Sequence, residues 1–153
     1  MNKESVSEKS QDRILGTILL ILRIAIGIIM AAHGAQKLFG LFGGMGIAST
    51  VKFMGAIGYL VAIGEFFGGL GIIAGFLTRF SSLALIVIQV GAIVKVHWAN
   101  GFFLGQKPGF EYNFALIGIL IAILIAGPGK HSIIRLLSIL IHKFPKKVYP
   151  FVE

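Results

Sequence analysis

There is no cysteine in these 153 residues. Disulfides, thiolate metal sites, CxxC redox chemistry and covalent c-type haem attachment are therefore excluded. Any redox role must use a borrowed cofactor or a partner. Charge is scarce too: charged residues make up 13% of the chain and hydrophobic ones 56%, where a soluble domain carries about 25% charged residues. Mean hydropathy is +0.92. A chain of this kind cannot cover a water-facing surface, so lipid must be its solvent. Acids are the rarer sign, six against fourteen basic residues, for a net charge of +8. In a soluble protein that excess would suggest nucleic acid. Here the basic residues gather outside the apolar runs, as membrane flanks do, and no nucleic-acid partner is expected. Strand alternation is absent, which argues against a membrane barrel.

What is present is a series of apolar runs. Four approach spanning length: about 14–33, 56–77, 80–98 and 112–127. Backbone polar groups in lipid must bond internally, so these runs are expected to be helices. The first is too long for a signal-peptide core and is broken by Arg23, so it reads as a retained span. The expected fold is all-α, an integral membrane four-helix bundle over residues 14–129. A polar stretch, 1–13, precedes it. A basic tail, 130–153, follows and carries Ile133, Ile134, Leu137, Leu140 and Ile141 at helical spacing, an amphipathic interfacial helix. The connection 34–55 is glycine-rich, and Ser49 or Thr50 is placed to cap a short helix there. Thr78 and Arg79 mark a hairpin tip.

With four spans, Lys3, Lys9, Arg13, Arg79, Lys130, Arg135, Lys143, Lys146 and Lys147 fall on one side of the membrane. Only Lys37, Lys52, Lys95 and Lys107 fall on the other. The positive-inside rule then places both termini in the cytoplasm. Residues 33–55 and 95–111 would face outward.

The charges inside the spans are the sharpest local signal. A charge at mid-span costs about 2.5–3.5 kcal/mol on insertion scales, so it needs a partner or a cavity. Counted at 1.5 Å per residue, Arg23 and Glu65 lie at about 13 and 18 Å from the same side. Their spans are antiparallel neighbours, which predicts an Arg23–Glu65 pair, with Gln89 completing a buried polar site. Such a pair could be a structural clamp, or it could bind an anionic or quinone-like group or relay protons. A second cluster, His33, Lys37, Lys95, His97 and Glu111, gathers at the outer mouth. His33, His97 and Glu111 are the residue types of a two-histidine, one-carboxylate metal site, and the histidines also suit haem or copper. The simpler reading is an interfacial histidine bonding a carbonyl. Trp98 and Tyr112 suit an aromatic belt. Gly64, Gly68 and Gly71 or Gly75 have small-xxx-small spacing, which lets helices approach closely.

The stretches "LRIAIGIIMAAHGAQKLFG", "GEFFGGLGIIAGFLTR", "VHWANGFF" and "EYNFALIGILIAILIAGPG" occur in this order. In them the chain resembles the DoxX family of small four-helix bacterial and archaeal membrane proteins. The resemblance implies roles for Arg23, His33, Gly34, Lys37, Glu65, Gly75, Thr78, Arg79, His97 and Glu111. It also implies a cell-membrane location and a link to quinol oxidases, quinone-coupled thiosulfate oxidation or oxidative-stress assemblies. One departure is the tail of "GPGKHSIIR", where family members often carry an aspartate and this chain has none. The expected function is a membrane subunit or accessory of a redox system, at most a quinone-binding subunit. Arg23, His33, Glu65 and His97 are the candidate contacts to such a cofactor. Membrane lipids and a protein partner are implied, and self-association stays open. The alternatives are a small transporter or lipid-handling protein, with Arg23 binding an anion, and a structural interaction module.

Overall fold

The computed structural model describes residues 3–143. Among the described residues every regular element is a helix. The first, α1, runs from Lys3 to Phe39. After a short 3₁₀ turn, Leu41–Gly43, α2 spans Gly46–Met54 and α3 spans Ile57–Ala74. Next, α4 covers Thr78–Ala92 and continues as a π-helical turn, Ile93–His97, and a 3₁₀ turn, Trp98–Asn100. A loop leads to α5, Glu111–Ala126, and α6 spans Ile133–Lys143. The rest of the basic tail, 144–153, lies outside the described residues.

Among the described residues three helical stretches are long and apolar enough to cross a membrane: Ser10–Phe39, Ile57–Ala74 and Thr78–Asn100. The helix at the fourth expected span, α5, has 16 residues, about 24 Å at the usual rise, short of the roughly 30 Å hydrocarbon core. Polarity is distributed inside out. Ile21, Leu60, Phe67, Val87 and Ile125 are exposed, as suits residues that face lipid. Arg23, Glu65, Gln89 and Asn113 are buried. The apolar core between them is Ile26, Met30, Ile72, Leu85, Leu116, Leu120 and Ile123.

Close backbone approach sets the α1–α3 interface. A Cβ on Gly34 would collide with the backbone of Phe66, and one on Gly69 with the backbone of Ala31 and Gly27. The stripe Gly64, Gly68 and Gly71 instead meets α4, against Ile88, Leu85 and Ser81. The hairpin between α3 and α4 turns earlier than its polar residues suggested. Its tip is Gly75–Leu77, and Thr78 already begins α4 as a buried residue. Gly75 caps α3 at φ 74, a conformation glycine adopts without penalty.

Thr50 does not cap α2. It sits mid-helix, fully buried, and its Oγ1 donates to the carbonyl oxygens of Gly46 at 2.8 Å and Lys37 at 3.3 Å. It ties α2 to the C-terminal turn of α1. At the other end of the bundle, Lys130 pairs with Asp12 at 2.8 Å, pinning the start of the tail to α1. Beyond it, α6 leaves Ile133, Ile134, Leu136, Leu137 and Ile139 exposed. Such an apolar stripe beside a basic face is the pattern of a helix lying in a membrane interface. The side chains of Leu140 and Ile141 lie outside those described.

Candidate functional site

Arg23 and Glu65 do not pair. Arg23 is fully buried and spends its guanidinium on backbone carbonyls. Nε donates to Ile72 at 2.8 Å and Nη2 to Ile73 at 2.7 Å. Nη1 donates to Pro128 at 2.5 Å and His131 at 2.8 Å. The first two carbonyls belong to the last turn of α3 and carry the negative end of the helix dipole; that of Ile72 also accepts the Gly75 N–H at 3.2 Å. The other two belong to the Gly-Pro-Gly turn and the approach to α6. Arg23 is thus a cap that joins three elements, and its donors are occupied by protein.

The physical reason is the direction of the side chains. Cα–Cβ bonds tilt toward the N-terminus of a helix. Arg23 therefore leans away from the level of Glu65, toward the Pro128 end. Lys37, fourteen residues later on α1, leans back toward that level, and Glu65 on antiparallel α3 leans up to meet it. The Lys37 Nζ–Glu65 Oε2 distance is 2.5 Å. Glu65 is 6% exposed and Lys37 26%, so the pair is screened from solvent on the carboxylate side. The closeness of α1 and α3 at Gly34 and Gly69 makes this reach possible.

Around the pair lies a cavity of about 350 Å³ at the end of the bundle where α1 finishes and α5 begins, which we call the mouth. Its walls come from α1, α3, α4, the π turn, the following loop and α5. They are His33 and Lys37 of α1, Glu65 of α3, Gln89 and Ala92 of α4, and His97 of the π turn. The loop contributes Leu104, Pro108 and Gly109, and α5 contributes Tyr112, Asn113 and Leu116. The two buried amides are bonded to each other: Asn113 Nδ2 donates to Gln89 Oε1 at 2.7 Å. Gln89 Nε2 turns to the sulfur of Met30 at 3.4 Å. His33 and Tyr112 meet edge to face, with ring centroids 6.4 Å apart. His97 Nδ1 lies 2.9 Å from the Pro108 carbonyl oxygen.

The π turn explains why His97 lines this cavity. Residues seven apart share one face of an α-helix, so an unbroken α4 would bring Val96 below Gln89. A π turn accommodates one extra residue. Val96 is instead exposed, and His97 takes its place on the wall.

Two residues of the expected mouth cluster stay outside the cavity. Lys95 is exposed on the π turn. Glu111 starts α5, where its Oε1 accepts the Leu104 N–H at 2.8 Å while its own N–H donates to Phe102 at 2.8 Å. That carboxylate organises the loop and does not join His33 and His97 as a metal-ligand set. Among the described residues no three His, Cys, Asp or Glu side chains come together to hold a metal. Asn113 was missed from sequence. Its signal is its place on the buried stripe of α5, with Leu116, Leu120 and Ile123.

These features define a class: a small all-helical membrane bundle with a largely apolar cavity, carrying a few polar groups, set into one end. The chain belongs to the DoxX family, whose model matches residues 18–98. That match runs from α1 through the π turn, so it includes His33, Lys37, Glu65, Gln89 and His97 and stops before α5. The chain is 32% identical over 115 residues to a protein of Bacillus subtilis (strain 168) named "Putative oxidoreductase CatD". That similarity covers 71% of this chain and 78% of the relative. It is also 32% identical over 128 residues to the inner membrane protein YqjF of Escherichia coli (strain K12), covering 78% of this chain and 92% of the relative. No solved structure matches it.

Proposed function

We propose that this protein is the membrane subunit or accessory of a redox system, and that its mouth cavity holds the head group of a quinone-type carrier. The observation that carries this reading is the cavity itself. It combines a cation, a carboxylate, two imidazoles and a phenol in about 350 Å³, near the lower end of the roughly 300–1,000 Å³ typical of small-molecule sites. A quinone ring needs hydrogen-bond donors for its oxygens and groups that exchange protons with them. Lys37 supplies donors, and Glu65, His33 and His97 are the proton-exchanging types. The residues present therefore fit such a ring. When bound, the quinone would supply the electron-carrying chemistry, and a protein partner would deliver or accept the electrons. This chain's part is to bind and orient the ring and to hold protons beside it. The name of the Bacillus relative points in the same direction.

The uneven distribution of Lys and Arg supports placing the Pro128 end at the cytoplasmic face of a bacterial or archaeal membrane, with the mouth opening outward. The experiment is purification of the full chain in mild detergent, solvent extraction of bound quinone, and titration with decylubiquinone. Trp98 is the single tryptophan and adjoins His97, so its fluorescence reports on the mouth. Co-purified quinone and saturable quenching are expected. A quinone-free sample without saturable quenching would overturn the reading.

A further inference from the structure

The imidazole of His97 is fixed at one nitrogen. Its Nδ1 faces the Pro108 carbonyl oxygen at 2.9 Å, and Asn100 Nδ2 donates to that same oxygen at 3.0 Å. A carbonyl oxygen can only accept, so Nδ1 must carry the proton. In the neutral ring Nε2 is then a bare acceptor. Among the described residues no protein group bonds Nε2, and His97 lines the cavity. Lys37, on the wall of the same cavity, offers the opposite character. Its ammonium has three donors, and Glu65 is its only hydrogen-bond partner among the described residues.

We infer that His97 selects the reduced ring, accepting at Nε2 a hydrogen bond from a hydroxyl of a hydroquinone-type ligand. This rests on the quinone reading of the cavity. Lys37 can donate to an oxygen of either redox form, so it does not discriminate. Nε2 does. A hydroquinone presents an O–H to it, whereas a quinone presents a carbonyl oxygen, lone pair against lone pair. The preference for the reduced ring amounts to about one hydrogen bond, or about fivefold to tenfold in affinity.

The test compares decylubiquinol with decylubiquinone on the full-length protein in detergent under anaerobic conditions. Binding is read from the concentration dependence of the melting temperature, since a ligand of the native state raises it by mass action. Wild type is expected to bind decylubiquinol about fivefold to tenfold more tightly. His97→Asn retains a donor for Pro108 and loses the Nε2 acceptor. It is expected to bind both forms alike, at the wild-type affinity for decylubiquinone. A second measurement needs no variant: nitrogen-15 NMR of the wild-type imidazoles. It should show His97 protonated at Nδ1 and bare at Nε2, with the Nε2 signal moving on addition of decylubiquinol only. Equal wild-type affinity for the two forms, a preference that survives in His97→Asn, or a proton on Nε2 would each overturn the inference. Saturable binding of neither compound would instead overturn the quinone reading of the cavity.

Discussion

Lys37 and Glu65 meet at 2.5 Å across the α1–α3 interface, with the carboxylate almost wholly buried and the ammonium a quarter exposed. Removing one partner leaves the other charge in a poorly solvated place. Lys37→Met should therefore destabilise the protein more than the Lys37→Met, Glu65→Gln double variant does. The difference should be about 1–3 kcal/mol, below the 3–5 kcal/mol of a fully buried pair because Lys37 retains contact with solvent. Thermal melts of the two variants in the same detergent measure it. Identical melting of the two would show that the pair contributes no coupling.

Arg23 predicts a different pattern. Four carbonyl oxygens lose a donor when it is removed, and among the described residues only that of Ile72 keeps a second one, the Gly75 N–H. Each buried acceptor left unmet costs about 1–3 kcal/mol, so Arg23→Met should be among the most destabilising single changes in the chain. Arg23→Lys should not rescue it. An ammonium is a point donor, and it cannot reproduce the planar fork that reaches α3 on one side and the Pro128 turn on the other. Limited proteolysis should show faster cleavage near 127–132 in both variants. Full stability in Arg23→Lys would refute the capping role.

These two residues also mark how far the sequence could be read. The apolar runs, the four bundle helices and the rarity of buried charge were legible, because lipid imposes them on composition. The partner of each charge was not. Depth counted along the helix axis places Arg23 and Glu65 at similar levels, but the side chains lean by their Cβ direction, in opposite senses. The partners that Arg23 found are main-chain carbonyls, which no residue pattern can display. The sequence grouped His33, Lys37 and His97, and the structure places all three on the cavity wall. It did not reveal Asn113, whose neighbours on the buried face of α5 are apolar, nor the π turn, which shifts the helical phase by a single residue with no glycine or proline inside it.

Glycines should separate by location. Ala at Gly34 or Gly69 puts a Cβ into the backbone of the facing helix, and neither helix can yield without opening the Lys37–Glu65 interface. Melting temperatures should fall sharply for both. Gly91 and Gly118 face open space, so Gly91→Ala and Gly118→Ala should be neutral or stabilising by up to about 1 kcal/mol, the helix-propensity difference between the two residues. A comparable loss at all four positions would contradict the close approach of α1 and α3.

The π turn makes the least intuitive prediction. Its extra residue is what brings His97, and not Val96, onto the wall below Gln89. If Val94 is deleted, the helix can run on in regular α geometry and His97 falls seven residues after Gln89, on the same face. The deletion should therefore be tolerated, with the His97–Pro108 bond kept. Exchanging the two neighbours, Val96→His with His97→Val, leaves the length unchanged but points the imidazole outward. That variant should lose the bond to Pro108 and loosen the loop over the cavity. Nitrogen-15 NMR distinguishes the two cases: the Nδ1–H signal of the imidazole should persist in its bonded position in the deletion and vanish from it in the exchange. A deletion that unfolds the protein while the exchange leaves it intact would mean that the π turn serves the path of the chain and not the presentation of His97.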